Sequence, residues 1–135
     1  MQTGSNQPVQ EATASKPLVF GLTAAIVVGI IAPLVLPHVT HPSMLSHILL
    51  HIASLVIASF LSIVSLTAYR RTGGARTLYM TLGFIALGIA EVFYLFQAVG
   101  LLFFLQIPNL DIEFPHIIVL AMLSLFGLGV LKVNK

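Results

Sequence analysis

Apolar residues in this chain come in four long runs, and the short joints between them gather almost all the charge. The runs are Leu18 to Leu36, Ser46 to Tyr69, Thr77 to Gln106 and Pro115 to Val133. A hydrocarbon core about 30 Å thick takes roughly 20 helical residues to cross, so each run is long enough to span it. The pattern predicts an all-α membrane protein of four antiparallel transmembrane helices in one bundle. The third run exceeds what the core needs, so a tilt or a break is expected near Gly100. The first is too long for the apolar centre of a secretory signal, and no small-residue cleavage pattern follows Leu36. It is expected to remain as a spanning helix. Residues 1–16, rich in Gln, Thr, Ser and Ala, read as a disordered tail, and 17–135 as the membrane domain.

Within the runs, polar and small residues recur at helical spacing. His47, His51, Ser54, Ala58, Ser62, Ser65 and Tyr69 form one narrow stripe that should face the bundle interior. Gly21, Ala25, Gly29 and Pro33 stand four apart, a seam at which close helix contact is expected. The third run carries Gly88, Glu91 and Tyr94 beside Phe84, Leu87, Leu95 and Ala98, with Gln97 off that face. The fourth opens with His116, followed on the same side by Val119, Leu120, Leu123 and Gly127, where the missing side chain leaves room for a neighbour.

Composition narrows the class further. With 58% hydrophobic and 7% charged residues, the chain is no water-soluble globule. Absence of cysteine excludes disulfides, thiolate zinc, iron–sulfur clusters and covalently attached haem. A net charge of +2 with no basic face carries no nucleic-acid signal. Lys16, Arg70, Arg71, Arg76, Lys132 and Lys135 all fall on one side of a four-span arrangement, which makes both termini and the middle loop cytoplasmic in a multi-pass cell-membrane protein. Arg70, Arg71 and Arg76 are expected to anchor on lipid headgroups, a specific lipid or partner contact being the sharper alternative. The opposite side receives His38, His41, His47, His51 and His116 with Asp111 and Glu113, the two acids being placed to complement the start of the fourth helix.

Glu91 is the single charged residue between Arg76 and Asp111. A charge near the bilayer centre costs roughly 2.5–3.5 kcal/mol on insertion scales, so such a group faces protein and has a partner. Counting about 1.5 Å per residue from the cytoplasmic helix ends puts His51 and His116 within about one turn of the Glu91 level, with His47 one turn nearer the water. Three chemistries follow from this constellation. His47, His51, Glu91 and His116 could ligate a transition metal, although no HExxH motif supports a zinc-protease site. His51 and His116 could clasp a b-type haem between two helices. Glu91, His51 and Tyr94, the last as hydrogen-bond partner, could form a proton relay or sensor, because histidine changes charge near neutrality. The plainer alternative is a static polar clamp between helices.

The stretch from His47 to Lys132 resembles a family of small, uncharacterised four-helix membrane proteins of archaea. His51, the Tyr69-Arg70-Arg71-Thr72 turn, the Gly88-Ile89-Ala90-Glu91 step and His116 carry that resemblance. It implies a multi-pass protein with a recurring His, Glu and His set and implies no established activity. With no recognisable catalytic set and no internal repeat, the chain reads as an accessory or regulatory subunit. Its expected partners are the bilayer and another membrane protein or a second copy. An intramembrane metal or haem protein is the alternative, and an enzyme or a lone transporter is less favoured.

Overall fold

Pro42 and Gly73 decide the length of the second helix. In the computed structural model, which describes residues 15–101 and 114–132, α1 spans Lys16–Val35 and is followed by a short 3₁₀ turn, Leu36–His38. Next come α2 (Pro42–Thr72), α3 (Ala75–Ala98) and α4 (Phe114–Leu131). All four helices are long and apolar enough to cross a membrane. Proline is tolerated in the first turn of α2, where no intrahelical N–H bond is lost. At the other end Gly73 takes the left-handed conformation (φ 62°) and donates its N–H to the Tyr69 carbonyl at 2.7 Å. The helix therefore has 31 residues, more than the apolar run alone, and at about 46 Å it overshoots the hydrocarbon core.

The expected break in the third helix is present, and its cause is visible. Gly100 has φ 74°, its N–H donates to the Gln97 carbonyl at 3.0 Å, and the Leu101 N–H reaches back to Phe96 at 2.8 Å. This bond pair is a Schellman ending, which a left-handed glycine makes available. Hence α3 stops at Ala98 with 24 residues, and the expected continuation to Gln106 falls largely outside the described residues. Asp111, Glu113 and residues 1–14 lie outside them too.

The principal contacts join helices that are consecutive in the chain, α1 with α2, α2 with α3 and α3 with α4. The largest buried cluster sits toward the end that carries the histidines. Ile31 and Val35 of α1 meet Ile48, Ile52 and Leu55 of α2 and Leu95 and Val99 beyond them. The α2 stripe does face inward: Ala58 is fully buried, and a side-chain atom on Gly88 would lie 3.9 Å from its Cβ. Two other faces differ from expectation. Gly21, Ala25 and Gly29 are exposed, with nothing within 4 Å of a Cβ at either glycine, because α1 seats its opposite side, Ile31 and Val35, against α2. On α4, Leu120 (66% exposed), Leu123 and Gly127 point outward, while Gly129 is buried, 3.4 Å from the Tyr79 Cβ by the same measure. Gly83 likewise lets the Phe126 ring lie where a side chain would stand. The close approach of α3 and α4 thus uses Gly83 and Gly129 rather than Gly127.

Candidate functional site

Because Ile48, Ile52 and Leu55 occupy the core side of α2, helical geometry turns His47, His51 and Ser54 toward α3. Glu91 meets them there. Its Oε2 accepts a hydrogen bond from His51 Nδ1 at 2.7 Å, and its Oε1 accepts one from the Ser54 hydroxyl at 2.8 Å. The carboxyl side chain is 14% exposed and the imidazole 19%, so the acid faces protein rather than acyl chains. Hydrogen bonds to a charged group contribute roughly 1.5–3 kcal/mol each, and two of them are enough to offset the insertion cost of the carboxylate.

The chain of contacts continues outward. His51 Nε2 lies 3.2 Å from His47 Nε2, with the two rings edge to face at 4.6 Å. His47 is exposed, whereas His51 is only partly so. An unbroken series of polar contacts therefore runs from the surface through both imidazoles and the carboxylate to Ser54. It ends there. One turn further, Ala58 packs against Gly88 and offers no polar atom. The other hydroxyls of the stripe turn back onto their own helix, Ser62 to the Ala58 carbonyl at 2.7 Å and Ser65 to the Ser62 carbonyl at 3.2 Å.

Aromatic rings complete the surroundings. Tyr94 stacks on His51 at 5.7 Å with an interplanar angle of 21°, and its edge meets His116 at 5.9 Å. It thereby stands between the two histidines that were expected to face one another. Both His51 nitrogens are already engaged, Nδ1 by Glu91 and Nε2 by His47. The four expected metal ligands divide in the same way: His47, His51 and Glu91 come together, while His116 is turned to Tyr94. Among the described residues, no group of three or more His, Asp or Glu converges as a ligand set, and no buried side-chain nitrogen or oxygen lacks a hydrogen-bond partner. Each oxygen of Glu91 is directed at a donor, which is the geometry of a carboxylate serving hydrogen bonds.

One neighbour departs from the sequence reading. Gln97 lines a cavity of about 200 Å³ together with His47, His51, Tyr94 and Ala98, although the helical wheel sets it off the Glu91 face. The spacing of three from Glu91 to Tyr94 to Gln97 is the signal that could have found it, since such a series winds slowly around the helix. His38 and His41 do not join the site. The first bonds the Leu34 carbonyl at 3.0 Å, and the second precedes α2 at its N-terminus. At the other end of the molecule Arg70, Arg71 and Arg76 are exposed, and Lys132 Nζ lies 5.7 Å from the Tyr79 ring centre, a contact between two helices that no sequence spacing announces.

Proton counting defines what this arrangement can do. Every contact needs one hydrogen between its heavy atoms. Ser54 supplies the first and His51 Nδ1 the second, so the Nε2–Nε2 contact holds as long as one of the two rings keeps a lone pair there. One further proton is accommodated on the remaining nitrogen of His47, or on His51 Nε2 once its partner becomes the acceptor. A second extra proton, if it too resides on the rings, makes both Nε2 atoms donors, and the His47–His51 contact must then open. No protein-family model, curated protein or solved structure matches this chain.

Proposed function

We propose that this chain is a small regulatory membrane protein whose histidine-bearing end holds a one-sided, proton-responsive switch. The observation that carries the reading is the contact series from exposed His47 through His51 and Glu91 to Ser54, closed beyond by Ala58 and Gly88. A series open at one end and sealed at the other suits sensing, whereas conduction needs both ends open. Titratable groups face it from three helices, His47 and His51 on α2, Glu91 and Tyr94 on α3, and His116 on α4 beyond the tyrosine. From α1 the neighbouring core receives only apolar Ile31 and Val35, joined by partly buried Val27.

In this reading the positive-inside rule puts the histidine end outside the cell. Acidification there loads the imidazoles until His47 is repelled and swings away from His51. As a regulatory subunit the protein passes that change to a neighbouring membrane protein, and mild extraction from native membranes is expected to recover such a partner in stoichiometric amount. The decisive measurement is nitrogen NMR of the labelled imidazoles in the full-length, reconstituted chain. The His47–His51 contact is expected to be present at neutral pH and lost on acidification, and Glu91→Gln is expected to alter that response. A contact that persists through acidification, or a response identical in the parent chain and the variant, would refute the switch.

A further inference from the structure

The opposite end of the molecule holds a second site. Below the Ile31–Ile48 core, α1 and α2 enclose a cleft of about 400 Å³ whose walls include Val19, Phe60, Val64 and Thr67 and whose mouth carries Lys16 and Arg71. Phe20 rests edge-on against Phe60 at 5.2 Å and ties the two helices together deep in the cleft. From Arg71 to Phe60 the cleft follows α2 for about 16 Å, close to half the hydrocarbon thickness of a bilayer. Its lining is overwhelmingly apolar below the two cations. Glu91, the sole acid among the described residues, is bonded to His51 at the far end, so nothing described near the mouth neutralises Lys16 or Arg71.

We propose that this cleft binds one anionic phospholipid of the leaflet at that end. Lys16 and Arg71 hold the phosphate, and an acyl chain lies along Val19, Phe60 and Val64. Depth, apolar walls and a doubly cationic mouth match the two halves of such a molecule. A guanidinium offers paired donors to phosphate oxygens and a lysine a mobile point charge, which suits a headgroup entering from the side. This site is independent of the histidine cluster and stands or falls without it.

Native mass spectrometry of the full-length chain, exchanged into nanodiscs of phosphatidylcholine with graded phosphatidylglycerol, tests the proposal. About one phosphatidylglycerol per chain is expected to remain bound in preference to phosphatidylcholine. The double variant K16Q/R71Q should lower its retention about tenfold or more, as loss of two headgroup charges implies. V64W fills the cleft without altering charge and should also release the lipid. R70Q/R76Q removes as much charge from the same end but none from the cleft, and retention should hold within about twofold. Equal losses in the two double variants would reduce the effect to general surface attraction and overturn the site. So would equal retention of phosphatidylcholine, full retention by V64W, or displacement of the lipid by millimolar inorganic phosphate, which would make a free anion the occupant.

Discussion

Glu91 makes the outer half of the protein depend on a few polar contacts. Removing its carboxyl leaves the Ser54 hydroxyl and His51 Nδ1 without their acceptor inside an apolar setting. Glu91→Ala should therefore lower unfolding stability in detergent by about 1–3 kcal/mol for each orphaned donor. Ser54→Ala removes one donor and should cost less than Glu91→Ala, whereas His47→Ala, at an exposed position, should stay within about 0.5 kcal/mol. Denaturant titrations of the three variants check this order. If His47→Ala proved as damaging as Glu91→Ala, the outer imidazole would be a structural member of the clamp rather than its mobile end.

Between α3 and α4, glycine stands in place of a side chain at two levels, Gly83 and Gly129. Gly83→Ala sets a methyl group against the Phe126 ring and is expected to destabilise by about 1–3 kcal/mol, with partial recovery when Phe126→Leu is added. Gly127→Ala meets open space and should change stability by less than about 0.5 kcal/mol. A second test concerns the helix endings. Gly73 and Gly100 both have positive φ, so alanine at either should cost about 1 kcal/mol through strain at the left-handed position. Thermal unfolding of the four variants distinguishes packing from backbone effects, because only the Gly83 change is rescued by a partner substitution.

Charge is segregated across the whole molecule, with Lys16, Arg71, Arg76 and Lys132 at one end and His47, His51 and His116 at the other. The chain has no cysteine, so single introduced thiols report topology without a background. Ser43→Cys should react with an impermeant maleimide applied outside intact cells, and Thr72→Cys only after the membrane is opened. The reverse pattern would invert the orientation drawn from the positive-inside rule. It would also move the proposed proton switch to the cytoplasmic face.

How much of this was readable in the residues follows from what a bilayer demands of a helix. Span number, the break at Gly100 and the inward stripe of α2 were legible, because length, a left-handed ending and unmet hydrogen bonds each leave a mark in one stretch of chain. The same demand put Glu91 and His51 at one depth and made a shared contact expected. Lipid-facing and core-facing sides of α1 and α4 are both apolar, and their periodicity therefore carries no direction. The Gly21, Ala25 and Gly29 seam looked like a contact and is exposed; Gly129 looked like nothing and is buried. Only packing decided that Tyr94 would part His51 from His116 and that Lys16 and Arg71 would share a cleft. A polar group in hydrocarbon announces its need for a partner from the sequence, but which surface supplies that partner depends on how neighbouring helices rotate and approach.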